Sequence, residues 1–102
     1  MIRSLSAENS NRNLLMIREK VTVEAPNGLH ARPVTELVQL VKSFSGTEIT
    51  LSAGDRTVRA NSMLSILSLG LKQGTAVEVA ADGPAEAEAV EAIVTLIRSV
   101  KD

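Results

Sequence analysis

From Lys20 onward, Val21-Thr22-Val23-Glu24 alternates apolar and polar side chains, the period-two pattern of a strand buried on one face. Pro26-Asn27-Gly28 breaks that pattern. The period then lengthens. Val34, Leu37, Val38 and Val41 fall at i, i+3, i+4 and i+7, one apolar stripe on a helix that Gly46 is placed to end. Ile49 and Leu51 alternate with Thr50 and Ser52, Ala53-Gly54-Asp55-Arg56 turns the chain, and Thr57-Val58-Arg59-Ala60 returns as the second arm of a hairpin. Asn61-Ser62 marks a helix start, because a serine oxygen can accept from the free amides of a first turn. Segment 63–69 is short and apolar, and Gly70 closes it. After the Gln73-Gly74 turn, Val77 and Val79 flank Glu78 as a fourth strand. Asp82-Gly83-Pro84 is read as opening the last helix, with Pro84 tolerated in its first turn. Its stripe is Val90, Ile93, Val94 and Ile97. Glu86, Glu88 and Glu91 early in it, and Arg98 and Lys101 late, suit the helix dipole.

The expected order is strand, helix, strand, strand, short helix, strand, helix. Helices covering one face of an antiparallel sheet bury every one of these stripes at once, so the fold class is α+β in two layers. Residues 1–15 are polar, rich in Asn and Ser, and without periodicity; they read as a disordered extension or leader, with the folded unit at 16–102.

Composition narrows the chemistry. The 102 residues suffice for one domain and not two, and 44% hydrophobic content supports a single core. Phe44 is the only aromatic residue, which leaves no stacking platform for single-stranded nucleic acid. The formal charge is −1 with no basic cluster, so no nucleic-acid partner is expected. Without cysteine there are no disulfides, thiolate metal sites or thiol catalysis, and the composition suits a reducing cytoplasm. No apolar run approaches the ~20 residues of a membrane helix, so no direct membrane insertion is expected.

The candidate chemistry lies in Asn27-Gly28-Leu29-His30-Ala31-Arg32-Pro33. His30, the only histidine, stands where a glycine-containing turn enters a helix beginning within 31–33. Free amides of an opening helical turn favour an anion by roughly 0.3–1 kcal/mol when exposed. Arg32 adds a guanidinium able to hold phosphate oxygens through two parallel hydrogen bonds. Neutral imidazole is a competent nucleophile near neutral pH. A lone histidine at a helix start reads equally as an ordinary polar residue beside a cap. Metal binding has less support, with no second histidine and no paired carboxylates nearby, and a Ser-His-Asp hydrolase lacks a nucleophile motif.

Three pieces of the sequence belong together. They are Val21-Thr22-Val23 with Ala25-Pro26-Asn27-Gly28-Leu29-His30-Ala31-Arg32-Pro33; Asn61-Ser62-Met63 through Ser68-Leu69-Gly70-Leu71; and Gln73-Gly74-Thr75. With these, the chain from about Met16 to Asp102 resembles HPr, the histidine-containing phosphocarriers of the bacterial sugar phosphotransferase system. The resemblance implies an open-faced β-sandwich, a four-stranded antiparallel sheet with three helices on one face. It implies that Enzyme I, phosphorylated by phosphoenolpyruvate, transfers the phosphoryl group to Nδ1 of His30, and that the group moves on to EIIA domains of sugar permeases. Arg32 would stabilise the phosphate. The chain would be a cytoplasmic monomeric carrier with no cofactor and no turnover of its own. Residues 1–15 depart from the family, whose members normally begin near the first strand.

Met63, Leu64, Ile66 and Leu67 cannot all face the core from so short a helix, so some are expected in an exposed apolar patch. In the family that helix docks donor and acceptor proteins, which makes Ala31, Met63, Leu64 and Leu67 the candidate partner surface, with Ile66 and Leu69 as core. Ser62 is expected to cap the helix, a contribution of about 1 kcal/mol. It also matches the serine that HPr kinase/phosphorylase phosphorylates in many bacteria. A phosphate there would weaken docking by charge without refolding the chain. Two other readings share the chemistry in part: a carrier of the nitrogen-related phosphotransferase branch, and a binding module controlled by Ser62 alone.

Overall fold

The computed structural model describes residues 16–101; the leader expected at 1–15 lies outside the described residues. The elements are β1 (Met16–Thr22), α1 (Ala31–Lys42), β2 (Glu48–Ala53), β3 (Arg56–Arg59), α2 (Met63–Leu67), β4 (Ala76–Asp82) and α3 (Glu86–Ser99). The strands form one antiparallel sheet in the order β1-β4-β2-β3. β4, the last strand in sequence, is thus inserted between β1 and β2, so the first and last strands are neighbours. The four-stranded open sandwich with three helices is the expected fold class.

Register explains which side chains meet. Glu19, Val79, Leu51 and Val58 align across the sheet on one face, and Ile17, Ala81 and Ile49 align beside them. This is the helix-covered face, and Val79, Leu51, Ala81 and Ile49 are buried there. Glu19 and Arg56 are charged residues on this face. Glu19 sits at the β1 edge, exposed, and meets Arg98 of α3 at 3.8 Å. On the opposite face Lys20, Glu78, Ser52 and Thr57 align, and Arg18 reaches Glu78 at 3.4 Å. Exposed pairs of this kind add little stability, so the fold rests on the covered face.

Both apolar stripes read from the sequence are buried: Val34, Leu37, Val38 and Val41 in α1, and Val90, Ile93, Val94 and Ile97 in α3. Truncating a fully covered member such as Ile93 to alanine costs such cores about 2–5 kcal/mol. Two boundaries differ from the sequence reading. β1 starts at Met16, earlier than Lys20, because it pairs with β4 over its whole length. Pro84 lies before α3, outside its first turn. Helix α3 begins at Glu86, where the Glu86 carboxylate accepts from the Gly83 amide at 3.1 Å and buried Thr47 Oγ1 accepts from the Ala85 amide at 3.2 Å. These bonds satisfy amides at the helix entry that have no intrahelical acceptor.

Beyond α3, Lys101 Nζ donates to Glu24 Oε1 at 2.9 Å. That bond, with the ammonium charge behind it and a smaller contribution from Arg98, holds the Glu24 carboxyl below its usual range despite slight desolvation. A depressed carboxylate pKa contributes stability above its unfolded value, lost as pH falls through the folded one. In a carboxyl-carbon NMR titration, Lys101→Ala should return the Glu24 midpoint upward toward the ordinary carboxylate value. An unmoved midpoint would show that Lys101 is not the cause.

Candidate functional site

The loop before α1 is held by backbone bonds to the loop after α2. Val23 N–H donates to Thr75 O at 2.9 Å and Gly74 N–H to Val23 O at 2.8 Å, so β1 continues its pairing past its own end. Gln73 Nε2 adds a bond to Glu24 O at 3.1 Å. Further on, Leu29 N–H donates to Leu71 O at 2.9 Å. Gly28 makes this approach feasible. Its φ is +68°, and a Cβ there would overlap the Leu71 carbonyl oxygen. Buried Ala25 and Leu29 fasten the loop from beneath.

His30 emerges from this clamp as the N-cap of α1, with extended backbone at φ −95° and ψ −168°. Its carbonyl accepts the first helical bond, from Val34 N–H at 3.1 Å, and its side chain makes no capping hydrogen bond. The ring is half-buried. Ala31 and Arg32 carry first-turn amides without intrahelical acceptors, and Pro33 has none to satisfy. The α1 N-terminus therefore presents donors and the positive end of its dipole beside the imidazole.

Two cavities share His30. One, of about 170 Å³, is walled by His30, Arg32, Pro33 and Glu36 of α1 and by Ser99 and Val100 at the end of α3. Arg32 is exposed and has no carboxylate within ion-pair distance among the described residues, so its guanidinium is available to an incoming anion. The other cavity, of about 420 Å³, is an open groove from Pro26, Leu29 and His30 to Leu67, Leu71, Lys72 and Gln73. Among the described residues, no cluster of three metal-ligating side chains occurs.

The remaining candidates divide. Ser62 is the N-cap of α2, its Oγ accepting from Ser65 N–H at 3.3 Å, as the sequence suggested. It lines neither cavity. Ile66 is buried and Leu69 packs against the core. Leu64 is 81% exposed and Leu67 36%, and of these Leu67 reaches the groove beside His30. Met63 is half-buried and packed against the core, its Sδ 3.6 Å from Thr35 Oγ1, whose hydroxyl donates to Ala31 O at 2.8 Å. Met63 bridges α2 to α1 more than it faces outward. Ala31 is exposed next to His30. Glu36, Ser99, Val100, Lys72 and Gln73 complete the two cavities and were not singled out as site residues from the sequence. The Arg32 and Glu36 spacing of i, i+4 and the Gln73-Gly74-Thr75 motif were the local signals for them.

The family described as the PTS HPr component phosphorylation site matches residues 17–99. The chain is 40% identical over 86 residues to phosphocarrier protein HPr of Haemophilus influenzae, covering 84% of this chain and all of that one. It is 38% identical over 82 residues to its counterpart in Vibrio cholerae, covering 80% and 95% of the two chains. Among solved structures, HPr-C-His from Thermoanaerobacter tengcongensis superposes with a TM-score of 0.77 at 37% identity, covering 81% of this chain and 92% of that one.

Proposed function

The chain belongs to the HPr family of phosphotransferase-system phosphocarriers, and from that premise we propose that His30 is its phosphoryl acceptor and Arg32 its phosphate-holding residue. The observation that carries the proposal is the half-buried imidazole of His30 at the donor-rich start of α1, sharing one cavity with an Arg32 guanidinium that has no ion pair among the described residues. The carrier unit is residues 16–102, acting in the cytoplasm without metal or cofactor. Phosphoenolpyruvate phosphorylates Enzyme I, and the lone pair on Nδ1 of neutral His30 attacks that phosphorus. The bond from phosphorus to Enzyme I breaks, its electron pair returns to the donor atom, and the imidazole proton stays on Nε2. Amides of Ala31 and Arg32 and the Arg32 guanidinium take up the phosphoryl oxygens. An EIIA domain then removes the group by the reverse attack. The chain is a substrate twice over, with no turnover of its own.

The groove from His30 to Leu67, extended by exposed Leu64, supplies the surface that donor and acceptor use in turn. A small interface of this kind suits brief encounters. Leu64→Glu should slow transfer from Enzyme I about tenfold, the effect of losing one apolar anchor. Because Leu64 is exposed, the thermal midpoint should move by no more than about 2–4 °C. Unchanged transfer kinetics would remove Leu64 from the docking surface. Met63 is a poorer probe, since its half-buried contacts with α1 and the core tie it to stability.

The test of carriage itself is incubation with Enzyme I and labelled phosphoenolpyruvate. Label should appear in an acid-labile, base-stable form and chase onto an EIIA domain. Chemically stable label of the serine type, or no label, would defeat the reading. Ser62, exposed in part at the α2 N-cap, is a regulatory position for a serine kinase. A phosphate there sits beside Met63 and Leu64 and weakens docking by charge.

A further inference from the structure

Glu36 lies one helical turn beyond Arg32 on α1, and its side chain forms part of the cavity wall that includes His30 and Arg32. The opposite wall is Ser99 and Val100, where α3 ends and presents the negative end of its dipole. Ser99 Oγ is turned back to Leu96 O at 2.7 Å, so its hydroxyl proton is already committed. Arg32 is therefore the only cation among the residues lining this cavity, and Glu36 the only carboxylate. Neither is neutralised by an ion pair among the described residues.

We propose that Glu36 sets how tightly His30 holds its phosphoryl group. The proposal rests on His30 being the acceptor. When the N–P bond to Nδ1 forms and the donor takes back its electron pair, a phosphoryl dianion arrives in the cavity that Glu36 also lines. The repulsion raises the free energy of the phosphorylated chain and not of the unphosphorylated one. Arg32 acts in the opposite sense, so the pair balances capture against release. A carrier needs that balance, because a phosphate held by Arg32 and helix amides alone would be slow to move on.

The readout is the equilibrium between phosphorylated Enzyme I and this chain, measured from both directions with labelled phosphate. Free-species equilibrium is independent of how well the two proteins dock, so a purely structural or interfacial role for Glu36 would leave it unmoved. Glu36→Gln should favour the phosphorylated chain by about three- to fivefold, the size expected for one carboxylate near a dianion in mostly aqueous surroundings. The gain should shrink as salt is raised. Glu88→Gln removes the same charge from the far end of α3, beyond a Debye length of about 10 Å, and should leave the equilibrium where it was. If wild-type chain is labelled and Glu36→Gln matches it, or Glu88→Gln shifts the equilibrium equally, Glu36 has no such role. If no variant and not the parent chain takes label, His30 carriage fails, and this inference with it.

Discussion

Gly28→Ala should destabilise the fold by about 2–5 kcal/mol, lowering the thermal midpoint by at least roughly 8 °C. Two costs combine. Left-handed backbone at φ +68° costs a residue with a Cβ about 1–2 kcal/mol. The new methyl would also overlap the Leu71 carbonyl oxygen and press Lys72 Cα at 3.0 Å, and forcing atoms into packed space costs about 1–3 kcal/mol more. Neither neighbour is a flexible side chain that can turn aside; both are backbone. Relief would have to pull the loop before α1 away from the loop after α2, breaking the Leu29 to Leu71 bond that seats His30. Thermal melting followed by circular dichroism checks this, and residual folded protein should accept phosphoryl groups poorly. A midpoint within a few degrees of the parent would mean that the two loops are not clamped there.

His30→Ala should separate chemistry from stability in the opposite way. The His30 side chain makes no capping bond, so alanine at that position should change stability by only about 0.5 kcal/mol. Phosphoryl acceptance should nevertheless fall to the background of a reaction without Enzyme I, since no other histidine exists to take over. Arg32→Ala should differ in kind. It removes charge-assisted bonds to the phosphate and leaves the nucleophile, so labelling should persist at a reduced rate. Label retained in His30→Ala would place the acceptor elsewhere.

Much of this arrangement was legible in the sequence because it rests on local patterns. The apolar stripes of α1 and α3 followed from spacing alone, and every member named in them is buried. Ser62 as a cap and His30 at a helix start were local signals too. The differences arise where distant residues decide. Arg18, Glu19 and Lys20 in succession hide the alternation of β1, whose early half exists because β4 offers it seven paired positions. Pro84 falls short of α3 because Thr47, far away in sequence, holds the Ala85 amide. At the site, no local pattern announces that the end of α3 closes the cavity beside Arg32, or that the loop at 71–73 forms the groove. Gln73-Gly74-Thr75 was visible as a motif, but its task of continuing the pairing of β1 needed the register to be seen. Exposed Leu64 and half-buried Met63 are adjacent apolar residues on one short helix, and only the packing of Met63 against Thr35 and the core tells them apart.

The most direct measurement is a nitrogen–proton NMR correlation of the His30 ring, with phosphorus detection, on the 15N-labelled chain before and after Enzyme I and phosphoenolpyruvate are added. A new phosphorus signal coupled to Nδ1 of His30, vanishing when an EIIA domain is supplied, is the expected result. An imidazole whose resonances stay unchanged while phosphate accumulates on another residue would contradict it.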